Sequence, residues 1–112
     1  GDFVSGTALP VAQRSQVTTG PATILSTVSG DDTRAYQVEI VRLCSMNRDG
    51  RDLLLKVTDP QLLETTGGIV QGMSGSPIIQ NGRFVGAVTH VLVNDPSQGY
   101  GILLEHMLEA VG

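Results

Sequence analysis

Asn81-Gly82 stands between two apolar runs, Ile78-Ile79 and Phe84-Val85, and it constrains the fold of this chain more than any other feature. Asn and Gly tolerate the consecutive positive φ values of a two-residue hairpin. The pair therefore predicts that Pro77 to Gln80 and Arg83 to Val93 run antiparallel. Asn47-Arg48-Asp49-Gly50 carries a related signal, and it predicts that Arg34 to Cys44 is followed by a returning strand, Leu53 to Val57. Apolar residues alternate in Tyr36, Val38, Ile40 and in Leu53, Leu55, Val57, the period of strands with one face buried. Leu9 to Ala12, Ala22 to Val28 and Tyr100 to Leu103 read as further short strands. Pro60 to Thr65 reads as a short helical turn broken by Gly67-Gly68. Leu104, Met107, Leu108 and Val111 lie at helical spacing, which predicts a terminal helix from about Glu105 to Val111.

Six or seven antiparallel strands with a short C-terminal helix suit an all-β barrel, because an open sheet would present unpaired edges. A chain of 112 residues supports one such core. Its 14 glycines and lack of tryptophan agree with many turns. Residues 1–7 read as a loose tail and residues 8–112 as the barrel. A net charge of −4 argues against a nucleic-acid partner. No apolar stretch approaches the roughly 20 residues of a membrane span, so this segment is not expected to insert in a bilayer. Cys44 is the only cysteine, which excludes an internal disulfide and a cysteine-rich metal site; no metal or cofactor is expected.

Gly72-Met73-Ser74-Gly75-Ser76-Pro77 carries the chemistry. A nucleophilic serine needs an exposed hydroxyl and backbone N–H groups aimed at the oxygen that becomes negative. Gly72 and Gly75 permit the torsions and close approaches this requires, so the N–H groups of Gly72 and Ser74 are the candidate oxyanion hole. The plainer reading is a Gly/Ser turn between strands. Ser76 precedes Pro77 at the start of a strand and reads as structural.

From Gly72 to His90 the order of nucleophile loop, apolar pair, Asn81-Gly82 turn and Phe84-Val85-Gly86-Ala87-Val88-Thr89 resembles the C-terminal barrel of chymotrypsin-like serine peptidases. A closer resemblance covers nearly the whole chain. It rests on Thr19-Gly20-Pro21-Ala22, Val57-Thr58-Asp59-Pro60, Thr66 to Pro77, Gly86 to Val91, Val93-Asn94-Asp95-Pro96 and Gly99-Tyr100-Gly101. These resemble the stage IV sporulation protein B serine peptidase family.

That resemblance implies the second barrel of a double-barrel enzyme whose site lies in the cleft between barrels. It implies Ser74 as nucleophile and Asp59 as the triad aspartate; read from the residues alone, Asp59-Pro60 is equally a turn or helix start. The general-base histidine of the family lies upstream of the point where this chain begins, so these 112 residues alone are expected to be inactive. Of the two histidines, His106 reads as a surface residue and His90 as a substrate-cleft or packing residue, with a role as base the lesser alternative. Thr89 and His90 are expected to flank the substrate groove. Counting back from the nucleophile as in trypsin-like enzymes places the floor of the specificity pocket at Gly68, a neutral position that favours small or apolar side chains.

The resemblance further implies a self-cleaving extracytoplasmic endopeptidase acting in the space between forespore and mother cell on a component of a membrane-embedded protease complex. Its own N-terminal barrel and PDZ domain would be its intramolecular partners. The alternative is a catalytically incompetent β module that binds a peptide or partner through the same cleft.

Overall fold

The computed structural model describes residues 10–26, 34–43, 51–68, 73–92 and 94–104. Its strands are β1 (Gly20–Ser26), β2 (Arg34–Leu43), β3 (Leu53–Val57), β4 (Pro77–Gln80), β5 (Arg83–Val91) and β6 (Gln98–Leu103). Helix α1 (Pro60–Thr66) links β3 to β4, and a single 3-10 turn, Arg14–Gln16, precedes β1. Asn81 and Gly82 hold φ of 54° and 73°, the two left-handed residues that a type I′ hairpin requires. Across them β4 and β5 pair antiparallel, with Gln80 opposite Arg83. β2 and β3 also pair antiparallel, with Val38 opposite Val57, as the Asp49-Gly50 signal predicts.

The sheet closes on itself in the order β1-β2-β3-β6-β5-β4, with every neighbouring pair antiparallel. Closure leaves no sheet edge along the paired lengths. The barrel has six strands rather than seven. Among the described residues of the expected first strand, Val11 bridges Phe84, while Ala12 donates to the Phe84 carbonyl and Phe84 donates to that of Pro10. Pro10 has no N–H to extend this into a ladder. The expected tail over residues 1–7 and the terminal helix over residues 105–111 lie outside the described residues.

The alternation read from the sequence builds the core. Tyr36, Val38 and Ile40 of β2 and Leu53, Leu55 and Val57 of β3 are buried, and Ile24, Ile78, Val85 and Val88 meet them from the other strands. Two further members come from the β3–β4 connection: Leu62 of α1 and Met73, each 1% exposed. Burying a side chain of this size stabilises by about 1.5–3 kcal/mol. These two therefore pin the crossing to the barrel.

A buried glutamine ties down the segment before β1. The Gln80 amide donates to the Thr18 carbonyl at 2.9 Å and the Pro21 carbonyl at 3.1 Å, while its oxygen accepts from the Thr18 N–H at 3.1 Å. Gln80→Leu keeps the volume and leaves those three backbone groups without their partner. The expected loss is about 1–3 kcal/mol, read as a lower urea midpoint; an unchanged midpoint would show that the clamp contributes nothing.

Candidate active site

Strand direction alone assembles one rim of the barrel. With all neighbours antiparallel, β3 and β5 end where β4 and β6 begin. Asp59 follows the end of β3, Ser74 precedes the start of β4, Thr89 and His90 lie near the end of β5, and Pro96 lies in the β5–β6 loop. All the described candidate residues therefore share that rim. In the barrel order β6 and β5 separate β3 from β4, so the chain from Asp59 to Ser76 must cross the rim.

Ser74 stands at the tip of a tight turn. The Ser76 N–H donates to the Met73 carbonyl at 3.0 Å, which makes Ser74 and Gly75 the central residues of a β-turn. Gly75 takes φ of 92°, a value that a side chain would strain. Three anchors hold the turn: Met73 lies in the core, the Gly75 N–H donates to the Val88 carbonyl at 2.7 Å, and the Val88 N–H donates to the Ser76 carbonyl at 2.9 Å. Ser74 itself is exposed. The main chain of Ser76 thus serves the β5 ladder, in keeping with its structural reading. Gly72, the other candidate oxyanion donor, lies outside the described residues.

Asp59 occupies the N-cap of α1. Its Oδ1 accepts from the Gln61 and Leu62 N–H groups at 2.9 and 3.3 Å, and its Oδ2 accepts from the Gln37 N–H of β2 at 3.0 Å. Capping is therefore a role that Asp59 fills. A carboxylate offers about four acceptor positions, so one remains, on Oδ2. The helix stops at Gly67, whose N–H returns to the Leu63 carbonyl at 2.8 Å.

Gly68 is buried against the β5–β6 loop. A Cβ at this position would stand 2.2 Å from the Pro96 carbonyl oxygen, so only glycine permits the approach. Asp95 shapes that loop: its carboxylate accepts from the Ser97 hydroxyl, the Gln98 amide at 2.7 Å and the Ser97 N–H at 3.1 Å. The Ser97 hydroxyl and then the Gln98 amide hold its pKa below the ordinary 3.8. A lowered folded-state pKa stabilises above the unfolded value and is lost as pH falls through the folded one. The stability difference between the protein and Asp95→Asn should be constant at neutral pH and shrink below about pH 3.8. A difference that persists unchanged in strong acid would show that the charge is irrelevant.

Thr89, His90 and Tyr100 form a bonded set beside the turn. The Thr89 hydroxyl donates to the Tyr100 carbonyl at 3.2 Å, and His90 Nδ1 lies 3.0 Å from the same hydroxyl oxygen. One hydroxyl carries one proton, so Nδ1 is the donor in that contact and Nε2 faces away from it. The His90 ring meets Tyr100 edge-on with centroids 6.5 Å apart, and the Arg51 guanidinium lies 5.6 Å from the Tyr100 centroid. Arg51, His90, Tyr100, Val91 and Leu92 line an open groove of about 390 Å³. The β4 ladder begins with Pro77 opposite Ala87, so Thr89, His90 and Val91 extend past it on that side of β5.

Sequence reasoning passed over Met73 and the tie from Gly75 to Val88. An apolar side chain inside a run of Gly and Ser was the available sign of the first. The second depends on pairing between distant segments. Among the described residues no cluster of His, Cys, Asp and Glu suits a metal ion, and no helix is long and apolar enough to cross a membrane. The sequence model of the family described as SpoIVB peptidase S55 matches residues 2–108, nearly the whole chain. No curated protein and no solved structure matches it.

Proposed function

This chain belongs to the SpoIVB peptidase S55 family, a serine peptidase family, and from that premise we propose that it supplies the nucleophile side of an endopeptidase site. The observation that carries the proposal is Ser74, exposed at the tip of a turn fixed by Met73 in the core and by Gly75 on β5. A hydroxyl held on a rigid turn loses little freedom when it attacks, which is the geometric part of nucleophilic catalysis.

In this reading Ser74 Oγ attacks the scissile carbonyl and gives its proton to an imidazole contributed by a segment upstream of these residues. That imidazole donates its other N–H to the remaining acceptor position on Asp59 Oδ2, and the bonds from Gln37, Gln61 and Leu62 keep the carboxylate oriented. The Ser74 N–H, with that of Gly72, receives the oxyanion. The leaving amine takes the proton from the imidazole, and water then releases the acyl group by the reverse sequence. The substrate backbone lies along Thr89 to His90 of β5, past the end of the β4 ladder. Gly68, the position that trypsin-like counting gives to the pocket floor, carries no charge, which favours a small or apolar substrate side chain.

The family suggests an extracytoplasmic, sporulation-related peptidase, and we further propose, as the resemblance implies, that the complete protein acts in the space between forespore and mother cell. There it would cleave itself and a component of a membrane-embedded protease complex, and so activate a late sigma factor. Its own N-terminal barrel and PDZ domain would complete the cleft.

A polypeptide of these 112 residues should show no ordinary turnover on quenched peptides, while the longer protein cleaves them. Loss of a triad member leaves an acceleration on the order of 10³–10⁴ over water, too little for such an assay. His90 Nδ1 is held by Thr89 and its ring packs on Tyr100, and in this reading it has a place in the substrate groove rather than the role of base. Robust cleavage by the short polypeptide, lost with His90→Ala, would make His90 the base and overturn the proposed mechanism.

A further inference from the structure

β5 and the loop that continues it touch both halves of the candidate site. The nucleophile turn is tied to β5 by the bond from the Gly75 N–H to the Val88 carbonyl. Further along, the β5–β6 loop meets the segment that carries Asp59 at both of its ends. At the first, the Val57 N–H donates to the Ser97 carbonyl at 2.7 Å, just before Thr58-Asp59. At the second, buried Gly68 lies just past α1, so close to Pro96 that a Cβ there would stand 2.2 Å from the Pro96 carbonyl oxygen. We propose that Asp95, which shapes this loop, is a positioning residue for Asp59 and keeps its carboxylate aimed at the imidazole. The inference rests on the peptidase reading of Ser74 and Asp59 and adds a residue on which that site depends.

Asp95 is the centre of the loop's bonding. Its carboxylate accepts from the Ser97 hydroxyl, the Ser97 N–H and the Gln98 amide. Main-chain bonds close the same turn: the Gln98 N–H donates to the Asp95 carbonyl at 2.9 Å, and the Leu92 N–H donates to the Gln98 carbonyl at 3.1 Å. Pro96 and Ser97 stand between the residues so joined. The two carbonyls that meet Gly68 and Val57 therefore belong to the stretch that the Asp95 carboxylate holds in shape.

The path from the loop to Asp59 runs through α1. Asp59 Oδ1 accepts from the Gln61 and Leu62 N–H groups, so the direction of the carboxylate follows that of the helix's first turn. Leu62 pins that turn to the core, and Gly68 on Pro96 fixes the far end. The Gln37 N–H holds the other oxygen, Oδ2, but one bond does not set the tilt of the helix. A loop released by loss of Asp95 lets α1 pivot about Leu62 and turns the carboxylate with it. Misplacing a catalytic group by about 1 Å costs on the order of 10²-fold in rate.

The test uses the full-length protein and quenched peptides. Asp95→Ala should lower kcat about tenfold or more, with KM changed by less than about twofold. The acid limb of its kcat/KM profile should move to lower pH, because an imidazole that loses its carboxylate partner loses basicity. Asp95→Asn keeps one acceptor oxygen for Ser97 and should lose only part of the rate; it carries the comparison if Asp95→Ala does not fold. Asp59→Ser supplies the control that separates positioning from stability. With no carboxylate left to aim, adding Asp95→Asn to that variant should lower kcat no further. Unchanged kcat in the folded Asp95 variants would overturn the inference, as would the same fold-loss repeated in the Asp59→Ser protein. A wild-type protein that neither cleaves peptides nor reacts at Ser74 with a fluorophosphonate would overturn the peptidase reading, and this inference with it.

Discussion

Ser74→Ala is expected to remove peptide cleavage by the full-length protein, a loss on the order of 10⁴-fold or more, while leaving its unfolding midpoint in place. The two halves of this expectation have different origins. Ser74 is exposed at the tip of its turn, and the bonds that hold the turn belong to Met73, Gly75, Ser76 and Val88. Removing one surface hydroxyl should change stability by no more than about 0.5 kcal/mol. The chemistry has no substitute, because the neighbouring hydroxyl belongs to a residue whose main chain is committed to the β5 ladder. Ser76→Ala should therefore keep its turnover. Turnover retained in Ser74→Ala and lost in Ser76→Ala would reverse the assignment.

The second large effect separates two roles that meet in one side chain. Asp59 caps α1 through Oδ1 and bonds β2 through Oδ2. Alanine would abolish both at once and prove neither. Serine is itself a good N-cap, so Asp59→Ser should keep the helix and lose chiefly the bond to Gln37, at about 1 kcal/mol. It also removes the acceptor proposed for the imidazole. In full-length protein kcat should fall on the order of 10³–10⁴-fold, as when a triad aspartate is lost, with KM little changed. Asp59→Ala should be equally inactive and less stable by a further roughly 1 kcal/mol. A serine variant with kcat within a few-fold of the parent would leave Asp59 with capping alone.

The parts of the fold that local chemistry determines were legible in the sequence. Asn81-Gly82 marked its hairpin because few residue pairs accept two positive φ values, and β3 and β4 span the residues expected of them, Leu53 to Val57 and Pro77 to Gln80. β6 begins at Gln98 rather than Tyr100, because its first residues find partners in Lys56 and Leu55 of β3, which sequence alone does not reveal. Of the strand expected over Leu9 to Ala12, the described residues keep a bridge at Val11, beside Pro10, which has no N–H to extend it.

The candidate site divides in the same way. Ser74 stood out by its glycine-flanked setting, and the αL stop at Gly67 by its Gly-Gly pair. Three features were hidden because each needs two distant segments to meet: the Gly75 tie to Val88, the clamp of Gln80 on Thr18, and Gly68 pressed against Pro96. A buried glutamine and an exposed one look alike in a sequence. Arg51 over Tyr100 belongs to the same class, joining the segment before β3 to the middle of β6.

The most direct measurement of the central claim is covalent labelling of the full-length protein by a fluorophosphonate, with the modified residue located by mass spectrometry of its peptides. An activated serine attacks phosphorus where an ordinary surface serine does not. The adduct should fall on Ser74, disappear in Ser74→Ala and persist in Ser76→Ala. An adduct on another residue, or cleavage by a protein whose Ser74 takes no label, would contradict the assignment of Ser74 as nucleophile.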